Sequence, residues 1–137
     1  MSAFEEDDLR RENAELKTQV ERLERVASVV EASTEAIVST APDGTLLSWN
    51  AAAQRLYGFT AGEAIGRNCV ELVPFDCLAE HARAIERAAR GARVVLESRR
   101  RRKDGSEVAV EVRYARLIDP EGALLGLAIV AHALDGS

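Results

Sequence analysis

The chain has 137 residues, a length that predicts a single domain. Its 23 acidic and 18 basic residues leave a net charge of −5, which argues against a general partner of nucleic acid or anionic membranes, because polyanions attract excess positive charge. No apolar run approaches the roughly 18 residues of a bilayer crossing, and the acidic amino terminus is unlike a signal or transit peptide. The sequence therefore predicts a cytoplasmic protein. The spacing of Cys69 and Cys77 predicts reduced thiols, with no disulfide framework and no metal site.

Residues 1–31 contain no Gly or Pro and follow a seven-residue apolar repeat. The residues that we assign to dimerisation occupy its d positions (Leu9, Leu16, Leu23, Val30) and its a positions (Asn13, Val20, Ala27). An asparagine at an a position pairs with its symmetry mate and favours two strands. The pattern predicts a parallel coiled coil that holds a homodimer; the alternative is an amphipathic helix folded back on its own domain.

This repeat resembles a leucine zipper, but not one that binds DNA. Such a zipper needs a basic helix before it, and the segment Glu5-Glu6-Asp7-Asp8 stands in that place. The acidic segment restricts the predicted role of residues 1–31 to pairing.

From residue 32 onward the period of the apolar pattern changes. Two short strands are predicted within 36–49, around a turn at 42–44, and Asn50 is a good N-cap for a short helix that follows. A longer helix is predicted over 77–90, with one apolar face formed by Leu78, Ala82, Ile85 and Ala89.

Three further strands are predicted after Gly91, over 93–101, from 107 and over 124–133. In the second of these, Val108, Val110, Val112 and Tyr114 alternate with charged residues. The order of elements predicts an α+β domain with one five-stranded antiparallel sheet, covering residues 32–135.

Residues 32–134 resemble a PAS domain, the sensory module of bacterial signalling proteins. The resemblance rests on several blocks in a fixed order: Glu35-Ala36-Ile37-Val38, Asp43-Gly44, Trp49-Asn50 followed by Ala52-Ala53 and Leu56-Tyr57-Gly58-Phe59, Glu63-Ala64-Ile65-Gly66-Arg67, Glu71-Leu72-Val73-Pro74, and Arg102-Lys103-Asp104-Gly105. It implies a five-stranded antiparallel sheet with short helices over one face, which agrees with the element order read from the residues.

The resemblance also implies a function. PAS domains bind a small ligand or cofactor between sheet and helices, or dimerise, and pass a shift to an effector such as a histidine kinase. A coiled coil that leads into the domain suits that role, because its packing has discrete alternatives. We expect a non-enzymatic sensory and dimerisation module. The alternatives are a haem-binding or flavin-binding sensor of gas, redox state or light, and a pure assembly domain. No catalytic residue is predicted, because no Ser or Cys has an identifiable base.

We expect a small apolar ligand pocket on the helix-covered face of the sheet. The predicted lining residues are Ile37, Val38, Leu47, Leu56, Ile65, Leu72, Ile85, Val110, Val112, Leu127 and Ile129.

Two residues are candidates for holding a cofactor. Cys69, in Gly66-Arg67-Asn68-Cys69, is similar to the cysteine of light-oxygen-voltage domains that adds to flavin. Arg100 and Val110, however, fall where those domains carry asparagines for the flavin ring, so a small buried thiol is the simpler interpretation.

His81 lies where haem-binding PAS sensors carry their proximal histidine. Those sensors have a tyrosine three residues on, and this chain has Ala84. A solvent-facing histidine is the simpler interpretation, and haem is the better of the two cofactor hypotheses. The basic run 99–103 is interpreted as a solvated strand end that pairs with acids on adjacent strands, and no role is assigned to His132.

Overall fold

The computed structural model describes residue 25 and residues 27–134. The chain divides into two units, residues 1–32 and residues 33–137. In the first unit, residues 27–32 are helical, and these include the heptad positions Ala27 and Val30. The predicted coiled-coil positions from Leu9 to Leu23 lie outside the described residues.

The second unit holds a sheet and a set of short helices. Its described elements, in chain order, are β1 (Ala36–Thr40), β2 (Leu46–Trp49), α1 (Ala51–Tyr57), α2 (Ala61–Ala64), the 3₁₀ helices η1 (Cys69–Leu72) and η2 (Phe75–Cys77), α3 (Leu78–Ala89), β3 (Val94–Arg101), β4 (Glu107–Ile118) and β5 (Leu124–Ala133). None of the helices in the described part of the chain combines the length and hydrophobicity that a bilayer crossing needs.

The five strands form one sheet in the order β2-β1-β5-β4-β3, and every neighbouring pair is antiparallel. The prediction of a five-stranded antiparallel sheet with short helices is therefore confirmed. The first strand pairs with the last, and Val38 lies opposite Ile129 while Thr40 lies opposite Leu127.

The inner face of the sheet carries the core. The side chains of Val108, Val110, Val112 and Tyr114 on β4 are all buried, because successive residues of a strand point to opposite faces. The predicted alternation is confirmed. The helices contribute small and aromatic residues to the same core, including Ala53, Tyr57, Ala84 and Ala88.

Asn50 fixes the start of α1 against β1. Its Oδ1 accepts hydrogen bonds from the backbone N–H of Ala53, at 2.9 Å, and of Ile37, at 3.0 Å. Its Nδ2 donates to the carbonyl oxygen of Glu35, at 2.9 Å. The predicted N-cap is confirmed, and it also joins the helix to the first strand.

The buried face of α3 differs from the predicted one. The residues of this helix that are buried are His81, Ala84 and Ala88, whereas Ala82 is exposed. The other three residues of the predicted face, Leu78, Ile85 and Ala89, are half-buried. Alanines allow the helix backbone to approach the sheet closely, and the large residues flank this contact instead of filling it.

Candidate functional site

Four side chains from four elements meet in the interior of the second unit. They are His81 on α3, Tyr114 on β4, Arg100 on β3 and Cys69 in η1. The Tyr114 Oη atom lies 2.8 Å from His81 Nδ1 and 2.6 Å from Arg100 Nη2. On the other side of the imidazole, His81 Nε2 lies 3.7 Å from Cys69 Sγ. We call these four residues the buried polar chain.

One assignment of protons leaves every group in the buried polar chain paired. Arg100 donates to Tyr114 Oη, and the Tyr114 hydroxyl then donates to Nδ1 of His81. The imidazole proton therefore sits on Nε2, from which it is directed to the sulfur of Cys69. In this arrangement His81 is neutral, because a protonated ring would present a donor at Nδ1.

Burial fixes the protonation states of His81, Tyr114 and Cys69 in the buried polar chain. It lowers the pKa of His81 to about 4, and the nearby positive charge of Arg100 acts in the same direction. Burial also raises the pKa of Tyr114 to about 12 and raises the pKa of the Cys69 thiol above its ordinary value. Near neutral pH, His81 is uncharged, and both the phenol and the thiol keep their protons.

Arg100 is a charged residue in the interior. No carboxylate among the described residues pairs with it. The residue is 4% exposed, and its Nη1 donates to Ser98 Oγ, at 3.0 Å, and to the carbonyl oxygen of Arg99, at 2.7 Å. Every other residue of β3 points inward, which places Ser98 and Arg100 on the face that Tyr114 also occupies.

The rest of the basic run behaves as the sequence predicts. Arg99 pairs with Asp76 and with Glu107 on the adjacent strand, and Lys103 pairs with Glu63 at 2.5 Å. These pairs are exposed at the strand end. The interpretation of the whole run as solvated is wrong for Arg100, which is buried, while Arg102 is half-buried.

The structure corrects the simpler interpretation of His81, since this side chain is 5% exposed and does not face solvent. Its environment nevertheless does not fit haem. An axial histidine presents one ring nitrogen to the iron while the other is held by a hydrogen bond. Here Nε2 faces Cys69 Sγ at 3.7 Å and Nδ1 is taken by Tyr114, so neither nitrogen faces open space.

Cys69 is a buried free thiol, as the simpler interpretation of it predicts. The surroundings do not fit a flavin ring. His81 lies against the sulfur, and the inward positions that would hold the polar edge of the ring are Arg100, whose guanidinium is already hydrogen-bonded, and Val110, which has no polar atom. A flavin at this place would displace the buried polar chain and leave buried polar groups unpaired.

A cleft of about 390 Å³ lies beside the buried polar chain. The β1–β2 turn, Asn68, Val70 and the Leu78–Ile85 side of α3 enclose it, and Thr40 and Leu127 of the sheet form its inner wall. His81 belongs both to this wall and to the buried polar chain. Any molecule that touches this part of the wall therefore touches His81, the residue that joins α3 to the sheet.

Of the predicted pocket residues, Ile85 and Leu127 line this cleft. Five others are buried in the core: Val38, Leu72, Val110, Val112 and Ile129. Leu56 packs against the core and is partly buried.

The structure places three of the predicted pocket residues elsewhere. Leu47 is 54% exposed and Ile65 is 47% exposed. Ile37 lies on the opposite face of β1 from Val38, where its neighbour on β5 is Val130. The sequence shows which residues of a short strand or a loop are apolar, but it does not show which of those side chains point into the core.

Sequence reasoning missed Tyr114, Arg100 and Thr40 as parts of one region. The alternation along β4 does place Tyr114 on the inner face with the valines, and this was the available signal. Thr40 carries no comparable signal, because its position depends on the pairing of β1 with β5. His132, to which no role was assigned, lies on the outer face, with Nδ1 at 4.0 Å from a carboxylate oxygen of Glu35.

A PAS fold family model matches residues 24–134, which is most of the chain. The chain belongs to the PAS family. It is a sensory and signalling module, and the short helices over a five-stranded antiparallel sheet are its PAS fold. No match was found among curated proteins.

Solved structures with the same fold include several signalling proteins. The PAS domain of a protein from Colwellia psychrerythraea has 21% sequence identity and a TM-score of 0.77, over 82% of this chain and 96% of that one. An RNA-binding light-oxygen-voltage receptor has 24% identity and a TM-score of 0.72, over 80% of this chain and 32% of that longer protein. A PAS domain from a two-component sensor histidine kinase has 15% identity and a TM-score of 0.70, over 85% of this chain and 98% of that one. At these identities the likeness shows the fold.

Proposed function

We propose that this chain is a non-enzymatic, cytoplasmic PAS module that forms a parallel homodimer through its N-terminal coiled coil. It passes a signal through that coiled coil to an effector such as a histidine kinase. The observation that carries the proposal is the continuity of the chain between the two units. Helical residue Ala32 is followed by only three residues before β1 begins at Ala36. A linker this short supports the proposal that a signal passes between β1 and the helix.

The pattern of residues 1–31 supports pairing of that helix. Leucine or valine recurs at every d position from Leu9 to Val30, and Asn13 occupies an a position. Under the same register, Glu5 and Glu12 at g face Arg10 and Lys17 at e of a parallel partner, and these pairs are attractive.

The outer face of the sheet offers a second surface for the homodimer. A groove of about 660 Å³ crosses β3, β4 and β5 on this face, and its apolar lining includes Val95, Ala115, Ala128 and Val130. Val95 is 59% exposed. Ala115, Ala128 and Val130 are half-buried, and the groove also contains Arg93, Glu111 and Arg113. Partly exposed apolar residues that lie together on a sheet face are typical of protein–protein contact sites.

The absence of catalysis is also part of the proposal. A nucleophilic cysteine needs an accessible thiolate, whereas the Cys69 thiol is buried and its pKa is raised. Both ring nitrogens of His81, the nearby base candidate, already have partners in Tyr114 and Cys69, so neither is free to take a proton from a substrate.

Light scattering on the full chain tests the coiled coil. Leu16→Lys places a charge at a d position and is expected to convert the dimer to a monomer. Thr18→Lys introduces the same charge at the outward f position of the same heptad and is the matched control, expected to keep the dimer mass. An unchanged mass for Leu16→Lys would reject the coiled coil as the dimer contact.

A second variant separates the two surfaces. Val95→Glu places a charge in the outer-face groove, and its side chain is exposed, so folding is expected to survive. A monomer with Val95→Glu and a dimer with Leu16→Lys would move the homodimer contact from the coiled coil to the sheet. Monomers with both variants would show that the dimer needs both surfaces.

A further inference from the structure

Two arginines without ion-pair partners line a second cleft, which has a volume of about 570 Å³. It lies between the end of α1, which contributes Arg55, and the loop from β3 to β4, which contributes Arg102. Neither guanidinium forms an ion pair or a hydrogen bond with another described side chain. Two other cations of the basic run, Arg99 and Lys103, both have carboxylate partners. We call this cleft the basic cleft.

The packing of Arg102 leaves one edge of its guanidinium open. The Nε atom is enclosed by the domain and has no hydrogen-bond partner among the described residues. The two Nη nitrogens also have no such partner, but they remain accessible, and the side chain as a whole is half-buried. Two neighbouring N–H groups of a planar guanidinium bind a carboxylate through parallel hydrogen bonds. Arg102 therefore offers the cleft a donor pair whose position is fixed by packing.

Backbone contacts hold the two sides of the basic cleft together. The N–H of Lys103 donates to the carbonyl oxygen of Tyr57, at 2.8 Å. The next residue, Gly58, ends α1 with a φ of +84°, and a Cβ atom at this position would lie 3.4 Å from Cβ of Lys103. The end of the helix is thus already docked on the loop that carries Arg102. A partner that binds both arginines finds them in place, which favours affinity.

The charges of the lining favour an anionic partner. The lining contains Arg55, Arg102 and Lys103 as cations and Asp104 as its one described anion. Hydrogen bonds from Ser106 lower the pKa of Asp104, and the positive charge of Arg102 acts in the same direction, so this carboxylate is ionised. The lining still has an excess of positive charge, on a chain whose net charge is −5.

Size and exposure favour a segment of a protein over a single ion. The volume of about 570 Å³ far exceeds that of one phosphate or carboxylate group. An exposed ion pair contributes little in water, so a partner gains affinity by making several pairs together with an apolar contact. Leu56, which is half-buried in the lining, offers that contact. A nucleic acid would bring further phosphates toward Asp104 and toward Glu63, the partner of Lys103, and these carboxylates would repel them.

We propose that the basic cleft binds an acidic segment of a partner protein. Two carboxylates of the segment pair with Arg55 and Arg102, and an apolar side chain between them packs on Leu56. The cleft lies wholly within the second unit. The proposal therefore goes beyond the coiled-coil dimer proposed above, and either proposal can fail without the other.

Amide NMR titration of the full chain tests the proposal. The probe is the pentapeptide Glu-Glu-Leu-Glu-Glu, blocked at both ends, and Gln-Gln-Leu-Gln-Gln is its neutral control. The acidic peptide is expected to shift the amide signals of Leu56, Gly58 and Asp104 in a saturable way and to bind at least about 10-fold more tightly than the neutral one. Equal affinity of the two peptides, or no saturable shift with either, would overturn the proposal.

Variants assign the binding to the two arginines. Arg55→Gln is expected to weaken the acidic peptide about 3- to 5-fold and Arg102→Gln about 5- to 10-fold, because Arg102 is the more buried. Arg102→Lys keeps the charge without the planar donor pair and should lie between the wild type and Arg102→Gln. Arg101→Gln is the matched control, since Arg101 is exposed and does not line the cleft. An equal loss in Arg101→Gln would reject the basic cleft as the site.

Two further probes separate the protein segment from other anions. Inorganic phosphate is expected to bind more weakly than the acidic pentapeptide, because it meets fewer cations and makes no contact with Leu56. An oligothymidylate of about ten nucleotides is also expected to bind more weakly than the peptide. If either probe bound the basic cleft as tightly as the acidic peptide, the assignment to a protein segment would be wrong.

Discussion

The hydroxyl oxygen of Tyr114 lies 2.8 Å from Nδ1 of His81, so one hydrogen bond joins helix α3 to strand β4. The same oxygen accepts from Arg100, which extends the contact to β3. A sensory domain must pass a change at its helices to its sheet. This contact is a direct physical link between the two layers.

Removing the hydroxyl tests how much this link contributes to stability. Tyr114→Phe leaves the ring in place but leaves His81 Nδ1 and one N–H of Arg100 unpaired in the interior. We expect the free energy of unfolding to fall by about 2–3 kcal/mol, measured by urea denaturation.

Tyr57→Phe is the control for that experiment. Tyr57 is also buried, where its ring packs against Trp49, and its hydroxyl takes no part in the hydrogen bonds of the buried polar chain. Its loss should change stability by less than about 0.5 kcal/mol. Equal losses for Tyr57→Phe and Tyr114→Phe would show that the link to His81 contributes nothing specific.

His81 should make the protein sensitive to mild acid. Burial lowers its pKa from 6.5 to about 4 in the folded state, so below pH 6.5 the unfolded chain binds a proton that the folded chain does not. Stability is therefore full above pH 6.5 and falls as the pH decreases toward 4, by a total on the order of 3 kcal/mol. The side chains that contact the imidazole are Tyr114 and Cys69, and burial raises the pKa of both, so neither changes its protonation state in this window.

Urea denaturation between pH 7 and pH 5 measures this effect before acidic residues with lowered pKa values begin to protonate. His81→Gln removes the titrating group and should abolish most of the slope in that range. Nitrogen NMR of the imidazole gives an independent measure, with the proton expected on Nε2 at pH 7. An unchanged slope in His81→Gln would contradict the assignment to His81.

Gly126 determines how closely β5 approaches β1. Its φ is +150°, and a Cβ atom at this position would overlap the carbonyl oxygen of Thr40. Gly126→Ala should therefore cost at least about 3 kcal/mol of unfolding free energy, since the clash is with backbone rather than with a flexible side chain.

Gly122→Ala measures the cost of the positive-φ backbone conformation in the absence of a clash. Gly122 also has a positive φ, of +87°, but a Cβ there would have no atom within 4 Å. We expect a loss of about 1 kcal/mol from the conformation alone. If the two alanine variants were equally stable, close packing of β5 on Thr40 would not explain Gly126.

The elements of the fold were predictable from the sequence because their signals are local. The alternation along β4, the turn at Lys103-Asp104-Gly105 and the N-cap Asn50 each depend on residues within a few positions of one another. The pairing of β1 with β5 brings together residues about 90 positions apart, and no local pattern specifies it.

The sequence identified two residues of the site but not that they lie together. The sequence singled out Cys69 and His81 as separate cofactor candidates, and the structure places them 3.7 Å apart in one chain of contacts. The burial of His81 could not be read from the helix, since Leu78, Ala82 and Ile85 form an equally regular apolar face. The phenol of Tyr114 on β4 offers His81 a hydrogen-bond partner in the interior, and this favours burial of the His81 face of the helix over the Leu78–Ile85 face.

The central claim is that the two cofactor candidates, Cys69 and His81, are already paired with the domain's own side chains. The absorption spectrum of the full chain, expressed with a haem precursor and riboflavin supplied, tests it most directly. The account predicts a colourless protein with no band beyond that of its aromatic residues. A Soret band that is lost in His81→Ala, or flavin bands that bleach under blue light but not in Cys69→Ala, would contradict it.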